Sequence, residues 1–229
     1  MKTIIITGAN GNLGTATVKK FLSENYKVIA VGGDNKQLDF ALNNANFEFA
    51  KVNLINENET TIFINNTITK HKKIDAAIML VGAFNPGNIE ITSEADIDKM
   101  FSLNFKSAYF IARPLLKHML ANSFGRLIFI GAKPALLAEQ GKNLLAYSLS
   151  KSLLFKFADF INAEAQEKNI VASVVVPGTI DTQINRGAMP NENFDNWVKP
   201  EQIADILELI TSEKGNPLRE TIIKVYNNS

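Results

Sequence analysis

The amino-acid sequence alternates short, continuous apolar runs with longer amphipathic stretches, and this alternation constrains the fold more than any other feature. Stretches such as NLGTATVKKFLSE space their apolar residues at the intervals of an α-helix. Strands that alternate with helices form a parallel sheet, and continuous apolar strands are typical of a sheet covered on both faces. We therefore predict an α/β fold with a doubly wound parallel sheet of about seven strands and helices on both faces. The predicted strands are TIIIT (3–7), KVIAV (27–31), FEFAKV (47–52), IDAAIMLV (74–81), GRLIFI (125–130), IVASVVV (170–176) and TIIKVY (221–226).

Composition narrows the class of protein further. A chain of 229 residues that is 46% hydrophobic suits a single domain over residues 1–229. The formal net charge of +1 leaves no basic surface for nucleic acid or an anionic membrane. The absence of Cys excludes disulfides and thiolate ligands, and two His without a carboxylate cluster predict no metal site. No run reaches the ~18 apolar residues of a membrane span, and the opening run is too short for a signal peptide, so we expect a cytoplasmic protein.

A glycine-rich segment, TGANGNLG (7–14), follows the first predicted strand and opens the first predicted helix. Gly8, Gly11 and Gly14 recur at every third position in this segment. Glycines let main-chain N–H groups approach a phosphate closely, and the N-terminus of a helix favours negative charge. In this context the segment predicts a phosphate site for a dinucleotide. The alternative is a tight turn that packs the helix closely against the strand.

The ends of the second and third predicted strands should contact the adenosine part of a dinucleotide. Gly32 stands where an acidic residue would bind the ribose 2′-hydroxyl of NAD, and no Arg follows that would favour NADP. Asp34 lies two residues late, where it either contacts the ribose or caps the next helix. Lys36 either attracts a 2′-phosphate or is solvated. Asn53 is placed to meet the adenine edge, and the choice between NAD and NADP stays open.

The segment AYSLSK (146–151) places Tyr147 four residues before Lys151 in a stretch with helical spacing. Positions i and i+4 lie on the same face of a helix, so the phenol and the ammonium should be neighbours. A free Tyr has a pKa of about 10 and is a poor acid–base group near neutral pH. A nearby cation stabilises the phenolate and should lower that pKa. The pair is therefore either an acid–base catalyst or an ordinary Tyr and Lys at a helix surface.

Together, TGANGNLG, Asn104, YSLSK and VVPGTIDT stand in the order and spacing of the short-chain dehydrogenase/reductase family, which this chain resembles over essentially its whole length. The resemblance implies a Rossmann-type sheet, NAD or NADP as cofactor, and reversible hydride transfer to a small-molecule substrate. It also implies a homodimer or homotetramer. The cofactor-binding residues that it implies are Gly8, Asn10, Gly11, Asn12, Leu13, Gly14, Asn53, Leu54, Gly82, Tyr147, Lys151, Pro177, Gly178, Ile180 and Thr182.

The same resemblance implies roles for three catalytic residues. Tyr147 would protonate the substrate as the hydride arrives, and Lys151 would lower the pKa of Tyr147 while binding the nicotinamide ribose. Asn104 would hold a water molecule in a proton relay. The chain departs from the family pattern at Met79 and Leu80, which replace two Asn of an Asn-Asn-Ala-Gly signature and so remove polar groups that normally brace the sheet.

One expected catalytic group is missing. The family's Ser follows the fifth strand, but Ala132 or Pro134 stands there, and the loop that follows contains neither Ser nor Thr. Losing one donor to a developing oxyanion costs roughly 10²–10³ in rate. Three explanations stay open: hydride delivery to a conjugated imine or quinonoid ring forms no alkoxide, another donor replaces Ser, or the chain is an impaired NAD(P)-binding sensor. The candidate donors are Lys133, Asn85 and Asn143.

Two stretches carry a narrower resemblance. GAKPAL (131–136) and IDTQINRGAMPNENFDNW (180–197) are similar to the dihydropteridine reductase branch, which also lacks the Ser. That branch reduces a quinonoid dihydropterin, so the resemblance implies such a reductase as an alternative. The segment 187–197 is rich in Gly, Pro and Asn and ends at Trp197, the only Trp of the chain. Because it follows the predicted nicotinamide strand, we expect either a substrate lid or an ordered surface loop.

Overall fold

The computed structural model describes residues 1–33 and 38–229. Asp34 and Lys36, which the sequence offers as contacts to the ribose or the 2′-phosphate, lie outside the described residues.

Seven strands form one sheet in which every pairing is parallel, in the order β3-β2-β1-β4-β5-β6-β7. The predicted doubly wound α/β fold is therefore confirmed. The strands are β1 (Thr3–Thr7), β2 (Lys27–Gly32), β3 (Phe47–Lys51), β4 (Ala76–Met79), β5 (Phe124–Ile130), β6 (Asn169–Pro177) and β7 (Ile222–Val225).

The fourth strand is shorter than its apolar run of 74–81 predicts. β4 ends at Met79 because the next residue leaves the ladder: Leu80 N donates to Thr7 Oγ1 at 3.2 Å. Before the strand, Asp75 N donates to Thr3 O at 2.9 Å. The apolar run therefore includes the turn that leads to the edge of the sheet.

Helices form the connections between the strands other than the one from β2 to β3, part of which lies outside the described residues. They are α1 (Asn12–Ser23), α2 (Glu57–His71), α3 (Glu94–Phe101), α4 (Ser107–Asn122), α5 (Ala138–Gly141), α6 (Leu145–Glu164), α7 (Gln183–Ala188) and α8 (Pro200–Thr211). A π-helical turn, Ser102–Lys106, joins α3 to α4 without a break. Such turns inside helices are rare and occur frequently at functional sites.

The two faces of the sheet bury separate apolar cores, because successive strand residues point to opposite faces. Ile5 belongs to the core under α2, α4 and α6, whereas Ile4 and Ile6 belong to the core under α1 and α8. Phe21 of α1 and Leu207 of α8 are fully buried in this second core. The rigid double-sided packing holds the carboxyl edge of the sheet in a fixed position.

The strand order reverses direction at β1, which lies between β2 and β4. In open α/β sheets the ligand crevice lies outside the carboxyl ends of the strands at this reversal. Across residues 1–33 and 38–229, no helix has the length and apolar character needed to cross a membrane. Over the same ranges, no three His, Asp or Glu side chains cluster as metal ligands would.

Candidate active site

The glycine-rich segment forms a tight turn between β1 and α1. Gly8 has a φ of 63°, which favours glycine, and its carbonyl accepts from Gly11 N at 3.0 Å. Gly11 is the N-cap of α1 and carries no side chain, so the N-terminus of the helix is left open. A Cβ on Gly14 would lie 2.1 Å from Gly8 O, so close packing also requires glycine there. The sequence offers a phosphate site and a tightly packed turn as alternatives. The structure has the features of both, because the turn packs closely and also leaves the helix end open.

Two cavities meet at Gly8, along the carboxyl edge of the sheet. The first, of about 420 Å³, includes the ends of β2 and β3 and is lined by Gly8, Asn10, Val31, Gly32, Gly33, Lys51, Val52, Asn53, Leu54, Ile55, Glu59, Val81 and Leu103. The second, of about 310 Å³, includes α6 and is lined by Gly8, Gly11, Asn12, Leu13, Gly14, Leu80, Gly82, Ala83, Phe84, Ile130, Tyr147, Lys151 and Ile180. We call them the adenosine cavity and the catalytic cavity, after the groups that the sequence motifs predict there.

In the adenosine cavity, the Lys51 ammonium lies beside Gly32 and Gly33, which carry no side chains. Lys51 is the register partner of Gly32, so both residues lie side by side at the edge of the sheet. The Lys51 ammonium has no partner within the described parts of the chain. Glu59, the carboxylate among the described lining residues, accepts from Asn53 N at 2.8 Å. A Cβ on Gly33 would meet no atom of residues 1–33 and 38–229 within 4 Å.

Tyr147 and Lys151 lie one turn apart on α6, and both line the catalytic cavity. Lys151 is buried, and its Nζ donates to Ile130 O at 2.8 Å. Burial raises the pKa of Tyr147 to about 12 and lowers the pKa of Lys151 to about 8. The net shift of the Tyr147 pKa is therefore upward, opposite to the lowering expected from Lys151, and its cause is burial of the phenol.

Asn104 lies in the π-helical turn and braces the loop after β4. Its Oδ1 accepts from Ala83 N at 2.7 Å, and its Nδ2 donates to Ala83 O at 3.1 Å and to Ser150 Oγ at 2.9 Å. A Cβ on Gly82 would lie 3.0 Å from Asn104 Oδ1 and 3.2 Å from Lys151 Nζ. Asn104 thus supplies bracing that the apolar residues at 79 and 80 do not, and its side-chain amide is occupied by this role.

The position of the missing Ser is apolar. Ala132 is buried and precedes a 3₁₀ turn at Lys133–Ala135. Of the proposed substitute donors, Lys133 Nζ donates to Ser229 O at 3.0 Å, and Asn85 Nδ2 donates to Asp96 Oδ1 at 2.8 Å. These two groups are therefore engaged away from the reacting centre. Asn143 is exposed, and its main-chain carbonyl accepts from Gly87 N at 2.9 Å.

In the segment after β6, Ile180 lines the catalytic cavity, whereas Pro177, Gly178 and Thr182 are not among its lining residues. Pro177 ends β6, and a Cβ on Gly178 would lie 2.2 Å from Ser229 Oγ, so glycine permits close approach of the chain end. Ile180 lines the cavity and forms a bridge to Val198. Thr182 Oγ1 accepts from Asn185 N at 3.1 Å and so caps α7.

The proposed lid is less irregular than its composition predicts. Its first two residues, Gly187 and Ala188, belong to α7. Its last residue, Trp197, is only 4% exposed and packs against Phe194 with ring centroids 4.7 Å apart. Asn227 Nδ2 also donates to Trp197 O at 2.8 Å. Trp197 therefore anchors this segment to the body of the protein, whereas residues 189–193 are exposed.

Sequence reasoning missed two residues of the site. Phe84 lines the catalytic cavity, and its ring lies edge-to-face with Tyr147 at a centroid distance of 5.1 Å. Ser150, inside the quoted YSLSK segment, receives the bond from Asn104 and donates to Tyr147 O at 2.7 Å. A sequence signal could have identified Phe84. It is an aromatic residue in the loop after a central strand, two residues past Gly82.

Comparison with known proteins identifies the family of this site. A model of the short chain dehydrogenase family matches residues 2–193. The chain is 26% identical over 226 residues to the 3-oxoacyl-[acyl-carrier-protein] reductase FabG of Buchnera aphidicola, which covers 94% of this chain and 91% of the relative. It is 26% identical over 233 residues to the dihydropteridine reductase of Dictyostelium discoideum, and this match covers 100% of this chain and 96% of the relative. The solved structure of ElxO with NADP bound has a TM-score of 0.89 at 20% identity, and the match covers 98% of this chain and 96% of ElxO.

The family match extends over most of the chain and includes both cavities, from the glycine turn to Ile180. The resemblance seen in the sequence motifs is confirmed, and the cofactor is NAD or NADP, as expected. The chain belongs to the short-chain dehydrogenase family and is an NAD(P)-dependent oxidoreductase.

Proposed function

We propose that the chain reduces a small carbonyl, conjugated imine or quinonoid compound, with Tyr147 as the proton donor. The observation that best supports this proposal is the shared catalytic cavity, where Tyr147 and Lys151 face the glycine turn at Gly11 and Gly14. A group bound on the glycine turn would lie beside the phenol. The reactive hydroxyl and the cofactor would then meet in one space.

The residues along the two cavities fit a dinucleotide. The open N-terminus of α1 and the close backbone at Gly8 and Gly11 are suited to phosphates. Asn53 lines the adenosine cavity, where it would meet the adenine. Lys151 would bind the nicotinamide ribose. The bound dinucleotide supplies the hydride, and the remaining chemistry falls to the side chains of this chain.

The protonation states favour reduction. With a pKa of about 12, Tyr147 keeps its proton across the neutral range and can donate it to a substrate atom that gains electron density. The phenolate that forms would lie one helical turn from the Lys151 ammonium, which would offset part of the cost of burying that charge. Asn104 holds the loop at Ala83 in place with the side-chain amide that the expected relay water would otherwise use.

A dihydropteridine-reductase-like activity is the second candidate. Ala132 offers no hydroxyl, and Lys133 and Asn85 are bonded elsewhere, which disfavours a substrate that needs two donors on one carbonyl oxygen. A quinonoid ring spreads the developing charge over several atoms. The dihydropteridine reductase of Dictyostelium discoideum, at 26% identity, adds support for this candidate.

We also propose that the chain forms a homodimer or homotetramer through α4 and α6. A groove of about 450 Å³ runs between these helices and is lined by Arg113, Leu116, Lys117, Leu120, Phe157, Phe160, Ile161 and Glu164. Phe160 exposes 66% of its surface there. Exposed apolar grooves of this kind favour subunit contact. Light scattering on the purified protein would measure the mass, and a monomer at micromolar concentration would contradict the proposal.

Tyr147→Phe tests the proton-donor role. The variant keeps the ring and removes the hydroxyl, so NADH and NADPH should still bind while turnover falls by roughly 10²–10⁴-fold. Substrates should include ketones, imines and quinonoid dihydropterins. Tyr109→Phe, on α4 outside both cavities, is the matched control and should retain activity. Unchanged turnover in Tyr147→Phe would contradict the role, and a wild type that binds dinucleotide but reduces no compound would favour the sensor.

A further inference from the structure

Phe84 is an exposed aromatic residue inside the catalytic cavity. Its side chain is 62% exposed, although it lies only two residues beyond Gly82. Its ring meets Tyr147 edge-to-face at 5.1 Å, with 68° between the ring planes. We propose that Phe84 is a substrate-positioning residue that stacks on a planar conjugated ring, so that the substrate class is a planar ring compound and not a linear acyl chain or a saturated ketone. This inference rests on the proposed reductase function.

The chain on both sides of Phe84 is held in place. Ala83 exchanges two hydrogen bonds with the side-chain amide of Asn104, through N at 2.7 Å and O at 3.1 Å. Asn85 Nδ2 donates to Asp96 Oδ1 at 2.8 Å, and Asp96 belongs to the capping box of α3. The two neighbours of Phe84 are thus tied to separate elements of the fold. An apolar ring that faces solvent on such an anchored segment gains from burial when a ligand covers it.

The geometry of the two rings favours a planar ligand over a flexible one. The edge-to-face contact with Tyr147 gives the two rings different orientations, so a planar ligand can stack on one ring and contact the edge of the other. Ala83 and Ile180, which line the same cavity, add small and apolar surface beside the Phe84 ring. A ring stacked on Phe84 would lie within the cavity that also contains the Tyr147 hydroxyl.

The missing hydroxyl at Ala132 independently supports the same substrate class. Reduction of a conjugated ring adds one hydride, which carries two electrons, and one proton; NADH or NADPH is oxidised to NAD⁺ or NADP⁺. The hydride forms a new bond at an electron-poor ring atom, and the Tyr147 O–H bond breaks as its proton passes to a ring heteroatom. The Tyr147 phenolate then regains a proton from solvent. Because conjugation spreads the charge, a second donor on one oxygen is less necessary.

Substitutions at Phe84 separate stacking from general packing. Phe84→Leu keeps an apolar side chain and removes the aromatic face, whereas Phe84→Tyr retains the face. Phe40→Leu is the control, since Phe40 is 46% exposed and lies outside the catalytic cavity. Steady-state constants should be measured with quinonoid dimethyldihydropterin and menadione as planar substrates, and with decalone and a linear 3-oxo ester as non-planar ones.

We expect Phe84→Leu to raise KM for the planar substrates roughly 5- to 100-fold, the range of stacking on an aromatic side chain, with kcat changed by less than about threefold. Phe84→Tyr should restore KM, and Phe40→Leu should resemble wild type. Equal losses on planar and non-planar substrates, or no loss on either, would overturn the inference.

A binding measurement makes the test independent of turnover. Calorimetric titration of menadione into the complex of Tyr147→Phe with NADP⁺ should show binding that weakens by the same factor when Phe84→Leu is added. Binding that is absent, or unchanged by Phe84→Leu, would overturn the stacking role. If this binding behaves as expected while no compound is reduced by the wild type, the reductase proposal fails and the stacking site stands.

Discussion

Asn104 Nδ2 donates a 2.9 Å hydrogen bond to Ser150 Oγ, and this bond joins the π-helical turn to α6. Ser150 Oγ donates in turn to Tyr147 O at 2.7 Å, so the amide of Asn104 is connected to the helix turn that carries the phenol. The opposite side of the same amide holds Ala83. One buried side chain therefore fixes the distance between the loop after β4 and the catalytic helix.

Replacing Asn104 by Ala should affect stability and activity together. The change breaks the bonds to Ala83 and Ser150, and we expect a loss of about 1–3 kcal/mol in the free energy of unfolding. Urea unfolding measures this loss. Asn122→Ala is the control, because Asn122 is exposed and bonds its own helix at His118 O. If Asn104→Ala were as stable and as active as Asn122→Ala, the bracing role would be excluded.

Gly11→Asp should abolish tight binding of NADH and NADPH. A carboxylate at the N-cap of α1 would repel the phosphates, and a Cβ added at Gly11 would lie 3.3 Å from Gly8 O. The increase in nicotinamide fluorescence on binding gives the dissociation constant. Gly187→Asp introduces the same charge outside both cavities, where a Cβ would meet no described atom within 4 Å, and this variant should bind normally. Equal affinities in the two variants would refute the phosphate site.

Lys51→Glu should weaken NADPH binding more than NADH binding. Lys51 borders the adenosine cavity beside Gly32, and a 2′-phosphate there would be attracted by the ammonium and repelled by a carboxylate. We expect the ratio of the two dissociation constants to shift at least about tenfold at low salt, with less effect at high salt. Lys99→Glu, on α3, controls for the change in net charge. A ratio that does not move would exclude Lys51 from cofactor selection.

Lys151→Met should make the protein more stable while abolishing activity. Burial lowers the pKa of Lys151 to about 8 from 10.5, so between these pH values the unfolded chain binds more protons than the folded protein. The free energy of unfolding of the wild type should rise with pH across this window, and the variant should lack that rise. At pH 7 we expect the variant to be about 1–3 kcal/mol more stable, after allowing for the lost bond to Ile130 O.

Chemical unfolding at pH 7, 8 and 9 tests this prediction. These values stay below pH 10, where deprotonation of Tyr147 would begin to favour the unfolded chain. Lys156→Met, on the exposed side of α6, is the control and should keep the pH dependence of the wild type. If the free energy of unfolding changed with pH in the same way for Lys151→Met and the wild type, Lys151 would not be a destabilising buried charge.

The sequence predicts the sheet well because the apolar strands are continuous and the helices between them are strongly periodic. All seven predicted strands overlap the observed ones. The glycine turn is also predictable, since Gly8 and Gly14 occupy positions that exclude a Cβ. The end of β4 is not, because it depends on a bond between Leu80 and a strand 73 residues away in the chain.

The chemistry of the site is less predictable than its backbone. The shared helix face of Tyr147 and Lys151 follows from a spacing of four, but their pKa values depend on burial by distant segments. Lys133 has the residue type of a substitute donor, yet it reaches Ser229, which lies 96 residues further along the chain. The exposure of Phe84 likewise depends on the loops around it. Burial and long-range pairing are properties of the folded chain that local patterns do not contain.

The central position of β1 has a consequence for the order in which the protein can assemble during synthesis. The first strand leaves the ribosome early, but one of its neighbours comes much later: Thr3 N bonds to Asp75 Oδ2, 72 residues away. Gly8 also packs against the main chain of Leu80 and Val81. A nascent chain that ends before β4 can therefore build β1–β3 but lacks the backbone that supports the glycine turn. The cofactor can therefore bind only after β1 has paired with β4, a late and non-local step. Until then, one edge of β1 is unpaired.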